Sequence, residues 1–321
     1  MWTDASIWRA MTVTHLAHVE LSCRDLEGSR EFFRDVLGLH EVGRADGSYL
    51  FRCWGDWQSH SFILSRGDAP GAKHLAWGVT DPEELPAIER SLQERGVETW
   101  WETDEPHQEP ALRFCTSDGF VHELLSNERR TPTSAVTSRL RAQPLPLRGV
   151  GIEPRRLDHG HIGTPNFDQM AEIMGALLGF KVREIVFKED GEPLTYFMSV
   201  NSQVHDLAVR RSREPDFHHA AVWLDTREHM MRAAELLVHR GFPPEVGPGQ
   251  HASTQAFFCH VLEPSGNRVE LFGAQYIVYE RWDPPEWTTS LKTEMERALG
   301  FCPLDLPGHH APPELVARIG S

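Results

Sequence analysis

The sequence lacks the features that would place a protein in a membrane or on a nucleic acid. It has no apolar run approaching the length that spans a bilayer. Basic residues are in the minority, since 32 Lys and Arg stand against 47 Asp and Glu and leave a formal net charge of -15 at pH 7. Phosphate backbones and anionic lipid surfaces attract concentrated positive charge. We therefore expect neither a nucleic-acid partner nor a membrane.

Cysteine is also scarce. Its five copies are an odd number without close pairs, namely Cys23, Cys53, Cys115, Cys259 and Cys302. Disulfide frameworks and thiolate zinc sites need paired cysteines, so we expect reduced, mostly buried thiols. The N-terminus, Met1-Trp2-Thr3-Asp4, shows neither the basic region nor the apolar stretch of a secretory signal. A cytoplasmic protein is the expectation.

What the sequence does have is an internal duplication, as its length of 321 residues allows. Three segments of the first half recur in the second half, in the same order and with a slowly growing offset, as short loop insertions would produce. The pairs are Leu16-Ala-His-Val-Glu-Leu with Leu157-Asp-His-Gly-His-Ile, Lys73-His-Leu-Ala-Trp with His218-His-Ala-Ala-Val-Trp, and Ser117-Asp-Gly-Phe-Val-His-Glu-Leu-Leu with Pro264-Ser-Gly-Asn-Arg-Val-Glu-Leu-Phe. The two halves are therefore predicted to be homologous domains.

Each half also repeats a shorter unit of one strand, an amphipathic helix and two or three further strands. The helices are predicted near 26–37, 82–95, 166–178 and 226–240. Asp25 offers a cap to the first helix and Gly38 ends it, while Gly241 ends the last one. This pattern predicts an α+β fold in which four βαβββ modules pair into two domains. The predicted boundaries are an N-terminal domain at 1–130, a linker at 131–154, a catalytic domain at 155–274 and a tail at 275–321.

Three ligand-type residues occupy equivalent strand positions in the second half: His159, His219 and Glu270. Two imidazoles and one carboxylate on adjacent strands form the facial triad that suits non-haem iron(II) and leaves open coordination positions. Each residue taken alone is more typical of a polar strand edge. Their recurrence within the duplicated pattern favours a metal site.

Further histidines accompany the triad in sequence: His205, His251 and His260. Imidazole can accept and return a proton near neutral pH, and His205 is the best candidate for that role. The competing interpretation is a strand histidine without a partner. His161 follows His159 by two residues, so it points to the same strand face and is predicted to line the pocket.

At this point the chain resembles a known family, the type I extradiol dioxygenases of the vicinal oxygen chelate superfamily, such as catechol 2,3-dioxygenase and homoprotocatechuate 2,3-dioxygenase. The stretches that carry the resemblance are Leu157-Asp-His159, Val204-His-Asp, His218-His219, Gly249-Gln-His251 and Glu263-Pro-Ser-Gly-Asn-Arg-Val-Glu270. The last two are similar to the family signature that ends in a glutamate ligand.

The resemblance implies a reaction and roles for individual residues. It implies extradiol cleavage of a monocyclic catechol to a ring-opened semialdehyde in aromatic catabolism, with Fe(II) or Mn(II) as cofactor and O2 as co-substrate. His219 is then the ligand of the His218-His219 pair, and His205 is the acid/base residue. His251 orients the substrate, and Phe197 forms an aromatic wall. A homotetramer is also implied.

The chain departs from the family pattern at one site position. The signature expects an apolar residue and then Tyr where this sequence has Cys259-His260. Because an imidazole changes charge more readily than a phenol, we expect an altered substrate preference and pH dependence.

The first domain repeats the site residues. His18, His74 and Glu123 align with the three ligands, and His60 aligns with His205. A complete second metal site is one interpretation of this copy, whereas the resemblance implies that it is a metal-free remnant.

The sequence leaves alternative functions open. One is cleavage of a trihydroxylated or amino-substituted ring by the same chemistry. Another is a non-oxygenase metal lyase or isomerase, or a binding protein, because fold does not dictate function.

Overall fold

The computed structural model describes residues 13–103, 110–126 and 149–299. Each half of the chain contributes one mixed sheet, of eight strands in the first half and nine in the second. The predicted α+β fold is confirmed. Within the described residues, no helix is long and apolar enough to cross a membrane.

The first sheet is built from the strands β1 Val13–Cys23, β2 His40–Ala45, β3 Ser48–Arg52, β4 Phe62–Arg66, β5 Gly71–Val79, β6 Glu98–Glu102, β7 Ala111–Cys115 and β8 Val121–Leu125. Their order across the sheet is β2-β3-β4-β1-β5-β8-β7-β6. Two helices accompany it. Helix α1 spans Leu26–Glu31 and continues into a π-helical turn at Phe32–Val36, and α2 spans Leu85–Gln93 after a 3-10 turn at Pro82–Glu84.

The second sheet contains β9 Leu157–Thr164, β10 Lys181–Phe187, β11 Pro193–Ser199, β12 Leu207–Arg211, β13 Asp216–Trp223, β14 Val246–Gln250, β15 Phe257–Leu262, β16 Arg268–Gly273 and β17 Glu286–Thr288. Its helices are α3 Phe167–Glu172, which continues into a π-helical turn at Ile173–Leu177, then α4 Arg227–His239 and α5 Thr289–Ala298. From β10 onward the order is β10-β11-β12-β9-β13-β16-β15-β14, which repeats the first sheet strand for strand. Strand β17 is added at the free edge of β10.

The local signals in the sequence explain the helix ends. The Asp25 carboxylate accepts a hydrogen bond from the Gly28 backbone N–H at 3.0 Å and so caps α1. Gly38, at φ 78°, and Gly241, at φ 85°, follow their helices in the left-handed conformation that glycine adopts without strain. The predicted helices agree with those observed. The sequence pattern did not reveal that the first helix of each domain ends in a π-helical turn.

The two domains share a continuous hydrophobic core. Gly160 on β9 lies against Leu75 on β5, and a Cβ at Gly160 would come within 2.7 Å of the leucine side chain. A side chain at Gly160 would therefore require the Leu75 side chain to shift.

The turn that precedes β16 forms hydrogen bonds to the first domain. The Gly71 N–H donates to the Asn267 side chain at 2.7 Å, the Asp25 N–H donates to Ser265 at 3.0 Å, and the Ser29 hydroxyl donates to Glu263. Glu263 is buried, and burial raises its pKa. The stretch from Glu263 to Asn267 carries part of the family resemblance. Most of its side chains thus serve to hydrogen-bond the second domain to the first.

The thiols behave as expected. Cys23, Cys53 and Cys259 are buried and Cys115 is half-buried, and all four are free thiols. Burial raises the pKa of the Cys53 thiol well above its usual value, so this thiol stays protonated and inert. Cys302 lies outside the described residues.

Candidate metal and substrate site

The three predicted ligands meet at one buried point of the second sheet. They come from β9, β13 and β16, which lie side by side. The Nε2 atoms of His159 and His219 are 3.2 Å apart, and Glu270 Oε2 lies 3.0 Å from the first and 3.2 Å from the second. Each side chain is almost completely buried.

This arrangement fits a divalent metal ion. First-row metals bind nitrogen and oxygen ligands at about 2.0–2.2 Å, so adjacent ligands at right angles stand about 3 Å apart. All three observed separations match that value. Glu270 Oε2 is buried and faces the two Nε2 atoms, but neither contact has hydrogen-bond geometry. A buried carboxylate oxygen in that position needs a cation.

Hydrogen bonds behind the two histidines fix their orientation. His159 Nδ1 lies 2.9 Å from the Asp158 carboxylate, which also accepts a bond from Arg156. His219 Nδ1 lies 2.7 Å from His218 Nδ1. A neutral histidine that offers Nε2 to a metal carries its proton on Nδ1. His159 therefore donates to Asp158, and His219 donates to His218, which in turn carries its own proton on Nε2.

His205 lies against the ligand His159, with ring centroids 3.9 Å apart. It precedes β12 and packs edge-on against Phe197 and Phe272. Burial lowers its pKa well below the usual value, which keeps the imidazole neutral. Its Nδ1 is buried and has no hydrogen-bond partner within the described part of the chain. A neutral imidazole with a spare nitrogen beside the ligands has the chemistry of a general base.

The other two predicted histidines both contact the second oxygen of Glu270. His251 Nε2 lies 3.3 Å from Glu270 Oε1, and its ring stacks on Phe258 at 3.7 Å. His260 Nε2 lies 3.0 Å from the same oxygen, because His260 and Glu270 face each other across β15 and β16. The structure thus places His260 against the carboxylate of Glu270, a contact that the sequence did not reveal.

A cavity of about 430 Å³ opens beside the triad. His161 and Phe197, the two pocket candidates from the sequence, both line it, and His161 Nε2 is buried without a hydrogen-bond partner among the described residues. Sequence reasoning missed Lys292 and Glu296, which reach the cavity from α5. Nothing in their spacing links them to a site more than twenty residues earlier in the chain.

The first domain repeats the triad in space. His18 Nε2 is 2.8 Å from His74 Nε2, and Glu123 Oε1 lies 3.5 Å from the first and 3.9 Å from the second. His60 packs on His18 with ring centroids 4.4 Å apart, as His205 packs on His159. All four side chains are buried.

Both halves of the chain match known proteins. The family model described as "Glyoxalase/Bleomycin resistance protein/Dioxygenase superfamily" matches residues 15–137 and 156–271. A manganese-dependent 2,3-dihydroxybiphenyl 1,2-dioxygenase of Geobacillus genomosp. 3 is 34% identical over 86% of this chain and 90% of its own length. A metapyrocatechase of Geobacillus stearothermophilus is 31% identical over 86% of each chain. The crystal structure of the 2,3-dioxygenase LapB from Pseudomonas sp. KL28 superposes with a TM-score of 0.80 at 29% identity, covering 87% of this chain and 99% of LapB.

Proposed function

Because this chain belongs to the glyoxalase/bleomycin resistance protein/dioxygenase superfamily and is one of its extradiol ring-cleavage dioxygenases, we propose that it cleaves a monocyclic catechol at an iron(II) ion held by His159, His219 and Glu270. The observation that carries the assignment to these residues is the buried triangle of donor atoms facing a cavity. The reaction inserts both atoms of O2 and gives a ring-opened semialdehyde.

The bound metal supplies Lewis acidity and open positions at which catechol and dioxygen can meet. The residues around the metal site hold the ligand side chains in fixed orientations. Asp158 orients His159, while His251 and His260 hold Glu270 through its second oxygen. Such partners raise metal affinity by keeping each ligand in its binding conformation.

His205 moves the protons of the reaction. A catechol must lose a hydroxyl proton as it binds, and a proton must later return to an oxygen atom that comes from O2 as the O–O bond breaks. The imidazole of His205 accepts the first proton and supplies the second, since this ring is neutral, lines the cavity and adjoins the ligand His159.

The cavity walls orient the aromatic ring. Phe197, Phe258 and Phe272 line it, and they exclude water from the reacting atoms. His161 lies on the same wall as the ligands and offers a polar contact to a ring substituent.

Iron(II) is proposed over manganese(II) because a two-histidine, one-carboxylate set with open positions is typical of iron oxygenases. The donor set accepts either ion, and the Geobacillus relative named above is manganese-dependent. Loading the purified protein with each ion separately decides between them.

The proposal also covers the location, the oligomeric state and the metabolic role of the protein. A cytoplasmic homotetramer in aromatic catabolism is supported by the family resemblance. The exposed tail residues Ile277 and Tyr279, 63% and 71% accessible, provide apolar surface for a subunit contact. Sedimentation of the purified protein measures the assembly.

The decisive experiment is oxygen uptake after anaerobic purification and iron(II) loading, with a panel of substituted catechols, hydroxyquinols and aminophenols. Uptake with a catechol and appearance of the semialdehyde chromophore are expected, and the Glu270→Gln variant is the matched control without activity. Uptake only with hydroxyquinols or aminophenols would show that the substrate is a trihydroxylated or amino-substituted ring instead of a catechol. No uptake with any of them would overturn the proposal.

A further inference from the structure

The two triads differ in the residue that faces the carboxylate from the neighbouring strand. In the second domain His260 on β15 is paired with Glu270 on β16. In the first domain Arg113 on β7 is paired with Glu123 on β8. Because the sheets share one strand order, Arg113 and His260 occupy equivalent positions.

Arg113 is held firmly in its place. Its Nε donates to Glu123 Oε2 at 2.6 Å, and its NH1 group donates to Glu102 at 3.2 Å. The Arg113 side chain is only 12% exposed, and that of Glu123 is fully buried. The guanidinium therefore bridges two carboxylates.

The rest of the first triad retains the features of a metal centre. Glu123 Oε1 is directed at the Nε2 atoms of His18 and His74. His74 Nδ1 lies 3.0 Å from the Glu20 carboxylate, and in the second domain His159 Nδ1 lies 2.9 Å from the Asp158 carboxylate. The chief difference between the two triads is the residue that faces the carboxylate, which is Arg113 in the first domain and His260 in the second.

From this comparison we propose that Arg113 is the built-in cation of the first triad, that it keeps the triad free of metal, and that the single change Arg113→His opens a second site for a divalent transition-metal ion. The inference rests on the proposed metal site of the second domain. A guanidinium stays charged at any working pH. It satisfies the buried Glu123 permanently and repels a divalent ion that would share the same carboxylate in a low-dielectric interior.

The distances within the first triad agree with this assignment. The two Nε2 atoms, 2.8 Å apart, are at hydrogen-bond distance, whereas Glu123 Oε1 lies 3.5 and 3.9 Å from them and Glu123 Oε2 binds Arg113. The second triad is nearly equilateral, with edges of 3.0 to 3.2 Å. The arginine draws the carboxylate out of the position that a shared metal would require.

The test counts metal in proteins whose second-domain site has been removed by His159→Ala. After loading with Co(II), we compare this variant with its combinations with Arg113→His, Arg113→Gln and Arg113→Lys. Bound cobalt is measured by mass spectrometry and by its visible absorption. The His159→Ala protein and its Arg113→Lys form are expected to bind almost none, whereas the His and Gln forms bind about one equivalent per chain.

Two further proteins complete the experiment. Adding His18→Ala to the His159→Ala/Arg113→His protein should abolish the new site, and Arg113→His alone should hold about two equivalents. Circular dichroism and thermal unfolding establish that each variant is folded, and Arg113→Gln serves where Arg113→His does not fold.

One equivalent in the His159→Ala protein would show that the first triad binds metal despite Arg113. Folded His and Gln forms without cobalt would show that Arg113 is not the barrier. Either result overturns the inference. The metal count does not depend on oxygen uptake, so failure of the catalytic proposal is recognised separately.

Discussion

The Glu296 carboxylate lies 3.6 Å from Nδ1 of His251. Glu296 is carried by α5, in the tail of the chain, yet its side chain is only 5% exposed. Although burial acts in the opposite direction, His251 and Lys292 lower the pKa of Glu296 to about 2. His251 in turn lies 3.3 Å from Glu270. The last described helix is thus linked to the carboxylate ligand through one histidine.

This link predicts a positioning role for Glu296. Glu296→Gln should lower kcat about tenfold, since partners of this kind change metal-site properties 10- to 100-fold, with little change in Tm. Glu294→Gln, on the exposed face of the same helix, is the matched control and should leave kcat unchanged. Equal effects of the two substitutions would mean that α5 acts only through general stability.

His205 is predicted to act on protons without holding the metal. His205→Phe should keep metal content and anaerobic catechol binding while kcat falls by about 10²- to 10⁴-fold, the usual contribution of a general acid or base. Metal analysis beside steady-state kinetics separates the two roles. Loss of metal in the variant would assign His205 a structural role instead.

Asp158 is predicted to support metal binding through His159. Its carboxylate accepts the Nδ1–H of that ligand, so Asp158→Ala should weaken metal binding about 10- to 100-fold. A competitive chelator titration measures this affinity. Asp225→Ala removes the same charge at an exposed ion pair with Arg155 and provides the control. Unchanged affinity in both variants would contradict the orientation argument.

His260→Tyr restores the residue type of the family signature. The phenol hydroxyl extends beyond the position of His260 Nε2, so it would pass Glu270 Oε1 and reach further into the cavity. We expect full metal content together with a severalfold change in the relative kcat/KM values of substituted catechols and an altered pH–rate curve. An unchanged substrate profile and pH–rate curve would show that His260 does not influence specificity.

Much of the site was accessible from the sequence because it lies on strands. Side chains alternate strictly along a strand, so motifs that recur in both halves must occupy equivalent positions. That reasoning grouped His159, His219 and Glu270, which the structure brings together, and it predicted the fold and the four helices. The family resemblance added the function, which the comparisons support.

Other features depend on contacts between distant parts of the chain. The turn from Glu263 to Asn267 looked like part of the catalytic signature, yet its side chains bind the first domain. The sequence predicted an effect of His260 on substrate preference and pH dependence, but only the register across two strands shows that its nitrogen lies on Glu270. Local patterns carry no information on such partners.

By itself, the sequence determined the duplication, the α+β modules and the identity of the ligand-type residues, because strand and helix periodicity are local properties of the chain. Only the tertiary structure decided that Glu296 returns to the site and that a guanidinium at Arg113 stands where the second domain has His260. Both are charge contacts, and their strength depends on burial and on separation in space. Neither quantity exists until the chain has folded.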